Sequence, residues 1–370
     1  MLGAAVIAAV IGAGCGAAAH SKPKLGASPA RDFVDVFSAD LAGDRNWLAL
    51  AVVGRTRGAP PGRQVVRAYI RGRAGGWRRT PPLRRSLAPG APVALTYANG
   101  IPCIAYEGLG GRRLLACLKG GRWRELTTVG LSPQRTRLFK LASFNGRLVL
   151  ALQTLSAGRR GVVVLRLARG RWRRLGQHVP TGEAVPALGE SSRARGTLDL
   201  ALSDVATGAR LVWSLAEGRW HRHQPLGESG GGPMPGGTAR LGARLYLPVI
   251  DATAEPWAMS VHVLRGAVWS QVGELLNRGA GNAQGVLSLA SGAVWAAWQE
   301  NEPRDDGLFN TRMYIRRVAP VAGPAREVWA GASIGPGSVE TVRGAGRQWI
   351  LYMPEASARR RLTVAVKPLR

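Results

Sequence analysis

From residue 32 onward, apolar residues come in short dense runs broken by Gly-, Arg- and Pro-rich segments, and no stretch sustains the 3.6-residue stripe of an amphipathic helix. The segment Val162-Val163-Val164-Leu165-Arg166-Leu167-Ala168-Arg169-Gly170-Arg171-Trp172-Arg173-Arg174-Leu175 shows the unit of the pattern. It reads as a β-branched strand, a tight turn and a second strand opened by tryptophan. Gly170 supplies the positive φ that a two-residue hairpin turn requires. Alternation puts Trp172 on one face and Arg171 and Arg173 on the other. Denser runs recur between these hairpins, among them Trp47-Leu48-Ala49-Leu50-Ala51-Val52-Val53, Ile101-Pro102-Cys103-Ile104-Ala105-Tyr106, Leu148-Val149-Leu150-Ala151-Leu152 and Leu198-Asp199-Leu200-Ala201-Leu202. Leu245-Tyr246-Leu247-Pro248-Val249, Val294-Trp295-Ala296-Ala297-Trp298 and Trp349-Ile350-Leu351-Tyr352-Met353 complete the series. Runs with so little polar alternation predict strands covered on both faces.

The hairpin repeats. Related turns precede Trp77, Trp123, Trp220 and Trp269, and the intervals from Trp77 through Trp172 to Trp269 are 46, 49, 48 and 49 residues. A weaker copy ends at Trp329, 60 residues further on. One hairpin is marginal alone, and a period of roughly 40–50 residues is that of four-stranded propeller blades. The expected fold is all-β: a seven-bladed β-propeller in one domain, residues 32–370, with six or eight blades as alternatives and the tryptophans packed between blades. The last unit stops at Val364-Ala365-Val366-Lys367-Pro368-Leu369-Arg370, before any turn and tryptophan. It therefore lacks its own outer strand, and ring closure is expected to borrow one from the segment before Asp32.

Residues 1–19 are small and apolar, with no charge before His20, and predict a signal peptide, lipoprotein signal or membrane anchor. Residues 20–31, with Pro23 and Pro29, read as a tether. Gly12-Ala13-Gly14-Cys15 resembles a bacterial lipobox, which implies lipidation of Cys15 and an exported protein held at the cell membrane or envelope. Further along, Trp295-Ala296-Ala297-Trp298-Gln299-Glu300, a polar loop and Met313-Tyr314-Ile315-Arg316-Arg317 resemble the repeats of secreted bacterial β-propellers of the sialidase-like and kelch-like kind. The resemblance implies a fold and an exported binding scaffold. No activity is carried over, because the Ser-x-Asp-x-Gly-x-Thr-Trp box and the Trp-Asp dipeptide of such families are absent.

Charge adds a direction. The formal net charge is +29, with 30 basic and 8 acidic residues in positions 1–190 against 21 and 14 in positions 191–370. Arg78, Arg79, Arg124, Arg173 and Arg174 fall on the predicted outermost strands, so one side of a closed ring is strongly basic. Nucleic acid would need stacking aromatics interleaved with the arginines, and the tryptophans are already assigned to packing. The expected partner is a protein, or an anionic envelope polymer or lipid headgroup, met by a monomer with a lipid anchor.

Candidate chemistry is sparse. Cys103 and Cys117 lie symmetrically about Gly110 on consecutive strands, which predicts a disulfide in an oxidising compartment. Gly331-Ala332-Ser333-Ile334-Gly335 matches the nucleophile-elbow spacing, but Pro336-Gly337 denies it the following helix. His221 and His223 share a strand face without an evident third zinc ligand. Glu107, Asp204, Asp251, Glu300 and Glu355 fall at or just past the ends of second strands, where propeller strands open on one face. With Arg55, Arg57, Arg112, Arg113 and Arg159 from the first three units, and Glu255, Trp257, Glu302, Asp305 and Asp306 from the fifth and sixth, they predict a two-signed mouth. Loops on a rigid ring are the usual place for recognition, and Trp257 is expected there as a hydrophobic contact free of the core. No cofactor is expected, apart from calcium at Asp305-Asp306-Gly307 as an alternative. The function expected is non-catalytic binding. The alternatives are a glycoside hydrolase or lyase, which needs paired carboxylates, and an envelope assembly factor.

Overall fold

The computed structural model describes residues 32–60, 63–83, 87, 93–108, 113–126, 136–154, 161–180, 184–191, 197–204, 210–226, 237–290, 292–333, 338–353 and 365–368. The segments expected to be signal and tether lie outside them. The first unit comprises β1 (Phe33–Gly43), β2 (Trp47–Thr56), β3 (Val65–Gly72) and β4 (Arg78–Arg79). The second has β5 (Val93–Ala98), β6 (Ile101–Glu107), β7 (Arg113–Lys119) and β8 (Arg122–Glu125). The third has β9 (Thr136–Phe144), β10 (Arg147–Thr154), β11 (Gly161–Ala168) and β12 (Arg171–Arg174), with β13 (Val179–Pro180) added beside β11. The fourth has β14 (Ala184–Ser191), β15 (Leu198–Asp204), β16 (Arg210–Ala216) and β17 (Arg219–Arg222). The fifth has β18 (Ala239–Leu241), β19 (Arg244–Asp251), β20 (Ala258–Arg265) and β21 (Val268–Gln271). The sixth has β22 (Asn282–Ala290), β23 (Ala293–Pro303), β24 (Phe309–Ala319) and β25 (Arg326–Ser333). The last has β26 (Ser338–Gly344), β27 (Arg347–Met353) and β28 (Ala365–Pro368).

Each unit is an antiparallel meander, and its second strand is the dense apolar run read from the sequence. The fold is an all-β β-propeller. Among the described residues the propeller shows six blades rather than the seven expected, because the meanders make six hydrogen-bonded sheets. Units four and five merge into one eight-stranded sheet because β14 pairs in parallel with β18, through Glu190↔Ala239 and Ser191↔Arg240. The last unit has three strands among the described residues, as its missing tryptophan hairpin implied. The strand it was expected to borrow would come from residues outside those described. First strands of successive units lie side by side around the molecule, and β26 returns to β1.

The core sits between units. Leu148, Leu150 and Leu165 of unit three meet Ala94, Cys103 and Leu115 of unit two, while Val149, Ala151 and Val164 on the other face meet Leu198 and Leu200 of unit four. Two-sided burial is why these strands lack polar alternation. Side chains also hold the first strands together: Ser38 Oγ accepts from Val93 N (3.2 Å) and Asp40 Oδ2 from Leu95 N (2.6 Å).

The repeated tryptophans are latches. Trp123 Nε1 donates to Thr80 Oγ1 (3.0 Å), Trp220 Nε1 to the Leu175 carbonyl (2.9 Å) and Trp269 Nε1 to the Gln224 carbonyl (2.8 Å). Each acceptor lies just past the outer strand of the preceding unit. One latch therefore spans one repeat, with separations of 43, 45 and 45 residues.

Candidate functional site

Loops joining second to third strands leave the units at one end of the ring. Glu107, Asp204 and Asp251 are the last residues of β6, β15 and β19, as expected. Arg57, Glu255, Glu302, Asp305 and Asp306 are exposed. Other members of the expected mouth are engaged. Arg55 reaches Asp35 Oδ2 through Nε (2.8 Å) and Nη2 (2.6 Å). Asp251 Oδ1 accepts from Thr253 N (2.9 Å) and Thr253 Oγ1 (2.6 Å), and these bonds hold its carboxyl below the usual range. Glu300 is not at a strand end, because β23 continues to Pro303. It is 3 % exposed and accepts from Arg278 N (2.6 Å), Gly279 N (2.8 Å) and Trp298 Nε1 (3.0 Å). That buried carboxylate holds the exposed turn at Arg278 and Gly279.

Trp257 differs from its expected place as well: it packs against the core between units five and six. Its N–H donates to Asn282 Oδ1 (2.8 Å), and its carbonyl accepts from Asn277 Nδ2 (2.8 Å) and Ala283 N (3.0 Å). Asp306 closes its own turn, accepting from Arg304 Nη2 (2.7 Å) and Leu308 N (3.1 Å). Among the described residues, no three His, Cys, Asp or Glu gather where they could hold a metal ion. Cys15, Arg112, Arg159 and Glu355, and the side chains of Arg113 and Asp204, lie outside the described residues.

Sequence reasoning missed a buried polar tie between units four and five. Asp199, with no exposure, stands within the apolar β15. It accepts from Ser214 Oγ (2.5 Å), from Arg240 Nε (2.7 Å) and from Arg240 Nη2 (2.7 Å). Ser214 Oγ also accepts from Arg240 Nη2 (3.1 Å) and lies 2.7 Å from His223 Nε2. The serine has one proton and gives it to Asp199, so His223 must donate through Nε2. Because Asp199 binds the serine rather than the histidine, no base is oriented for nucleophilic attack. Burial lowers the His223 pKa against the pull of Asp199. The signal was present: a lone acid inside Leu198-Asp199-Leu200 must find a partner.

Cys103 and Cys117 are directly paired across β6 and β7, with Cα atoms 4.1 Å apart, and form a disulfide. On the outer strands of units two to four, tryptophan is flanked by exposed basic residues: Arg122 and Arg124 about Trp123, Arg171 and Arg173 about Trp172, Arg219 and His221 about Trp220. Arg78 and Arg79 are exposed on the outer strand of unit one. Unit five presents Val268 and Ser270 at the matching positions.

No family model matches the chain, and no curated protein matches it in sequence. Solved structures do. A polysaccharide lyase, an ulvan lyase bound to the saccharide GlcA(1-4)Rha3S, aligns with TM-score 0.57 at 11% identity, over 89% of this chain and 91% of that one. The Trypanosoma rangeli sialidase in complex with the inhibitor DANA aligns with TM-score 0.50 at 11% identity, over 78% of this chain and 55% of that one. The Aleuria aurantia lectin covers 75% of this chain and 96% of its own, with TM-score 0.48 at 10% identity. At such identities the likeness is one of fold: this chain is similar to propellers that carry different functions.

Proposed function

We propose that this chain is an exported, lipid-anchored binding scaffold whose arginine-rich side recognises an anionic polymer or lipid headgroup of the cell envelope. The observation that carries the reading is the outer-strand pattern: tryptophan turned between units, arginine exposed beside it, in the first four units and not in the fifth. Tethering at Cys15 would hold this side near an anionic surface, where each basic residue contributes about 1 kcal/mol. In the sequence, Arg57, Arg112, Arg113 and Arg159 follow the second strands of the first three units. A paired-acid reaction is not favoured by Glu300, enclosed by three donors, or by Asp251, engaged by Thr253.

The test is binding of the mature chain to an anionic polysaccharide and to phosphatidylglycerol vesicles across a salt series. Affinity should fall as salt screens the exposed arginines, and reversing Arg112 and Arg113 to Glu should weaken it. Absence of salt-dependent binding to either probe at low ionic strength would overturn the reading.

A further inference from the structure

A cavity of about 630 Å³ opens between units two and three, at the end of the ring where Gly146 turns β9 into β10 and Gly170 turns β11 into β12. The Cys103–Cys117 disulfide forms part of its wall. Ile101, Cys103 and Cys117 come from unit two and meet Leu148 and Leu167 of unit three in one apolar cluster. The two cysteines differ in access. Cys103 is 1 % exposed, whereas Cys117 is only partly buried. On its other side Cys117 stands directly opposite Arg124 of β8, so cysteine, cysteine and arginine follow one another across three strands on one face of the sheet. Among the described residues that line the cavity, none is acidic. The ladder from Cys103↔Cys117 to Glu107↔Arg113 holds β6 and β7 together by backbone hydrogen bonds, so the strand pair does not depend on the S–S bond.

We infer that this disulfide is a modification site, at which a low-molecular-weight thiol enters the cavity and exchanges onto Cys117. Disulfides open to solvent are the labile ones, whereas shielded ones act as staples. The small thiol loses its proton, and its thiolate attacks Sγ of Cys117. A new S–S bond forms to Cys117 as the bond to Cys103 breaks. The incoming sulfur is oxidised to the disulfide level and Cys103 is reduced, its thiolate taking up a proton. Cys103 stays paired beside Cys117 in the ladder, so it can attack the mixed disulfide in turn and expel the small thiol. A neighbouring cation favours thiolate over thiol. Arg124 places one beside Cys117, which favours a thiol that itself carries negative charge. The recess between two units admits a small molecule rather than the surface thiol of a folded protein. This inference rests on neither the arginine-rich side nor the envelope reading.

The experiment is exchange of the folded chain with 2-mercaptoethanesulfonate, stopped by acid and followed by capping of free thiols with N-ethylmaleimide. Trypsin separates the two cysteines at Arg112 and Arg113, and peptide masses then show where each group went. The sulfonate adduct should sit on Cys117 and the cap on Cys103, at least tenfold in excess of the reverse. At equal thiolate concentration 2-mercaptoethanesulfonate should react at least threefold faster than cysteamine, its cationic counterpart. Arg124→Gln should at least halve that preference, and Arg265→Gln, exposed in unit five, should leave it unchanged. Leu167→Trp narrows the cavity and should slow exchange at least fivefold, whereas a variant that was merely destabilised would exchange faster. The rate should stay constant in urea concentrations below the unfolding transition. If the adduct forms on Cys103 or on both cysteines equally, if no exchange occurs without urea, or if the rate climbs with urea, the disulfide is a shielded staple and the inference fails.

Discussion

At the scale of single residues, the tryptophans show how one side chain can set a repeat length. Trp123, Trp220 and Trp269 each deliver the indole N–H to an acceptor just past the previous outer strand, so insertion or deletion between them would break the latch. That constraint is what made the 46–49-residue spacing legible before any coordinates. The copies are not equivalent. Trp220 is 3 % exposed and also clasped by Gln177, which accepts from Trp220 N (3.0 Å) and donates to its carbonyl (2.8 Å). Trp220→Ala should therefore cost about 3–5 kcal/mol, read as a shift in the urea midpoint. Trp172 is only half-buried, and Trp172→Ala should cost less than about 3 kcal/mol. Equal losses would mean that burial does not rank the latches. Asp199 is legible in the sequence as a lone acid within an apolar strand, whose burial demands a partner. Asp199→Ala leaves the Arg240 guanidinium without its buried partner and should cost about 3–5 kcal/mol in the same assay.

At the scale of strands and hairpins, ionisation and oxidation enter. Burial lowers the pKa of His223, which faces Asp199, Arg240 and His221, and that of His262, which lies 3.1 Å from Ser260 Oγ. Their folded-state values lie below the ordinary 6.5. As pH falls through that value the unfolded chain takes up protons first, so the stability these histidines support is present above it and lost below it. The denaturant midpoint should drop between pH 8 and pH 5.5, and the drop should shrink in a His223→Gln, His262→Gln double variant. A drop of the same size in both proteins would assign it to other groups. The disulfide closes a loop between residues 14 apart. Chain entropy alone allows a gain of about 3 kcal/mol for a loop near that length. The ladder between β6 and β7 already restrains it, so reduction should lower stability by less. In the processed chain, alkylation should label neither Cys103 nor Cys117 until reductant is added.

For the whole molecule, architecture was legible and the site largely was not, for a physical reason. Strand runs and latches are set by packing, which repeats from unit to unit and so leaves a period in the sequence. The merging of two units into one sheet rests on a two-residue parallel ladder, Glu190↔Ala239 and Ser191↔Arg240, which has no period to betray it. Glu300, expected at a strand end, lies within β23 and binds the N–H groups of Arg278 and Gly279, while Trp257, expected on the open mouth, is held by Asn282 and Asn277; neither local arrangement repeats from unit to unit. The charge asymmetry survives this, because it depends only on which unit an arginine belongs to. It yields a comparison between two sides of one ring. Arg78 and Arg79 are exposed on the outer strand of unit one, and Arg244 and Arg265 are exposed in unit five. Reversing either pair to Glu changes the net charge equally. If recognition depended on net charge alone, both variants would lose affinity for phosphatidylglycerol vesicles to the same degree. If the arginine-rich side faces the surface, the unit-one pair should lose at least tenfold more, because a charge more than a Debye length away, about 8 Å at physiological salt, is largely screened. Vesicle sedimentation at two ionic strengths reads the difference. Equal losses would leave a cationic protein with no oriented face.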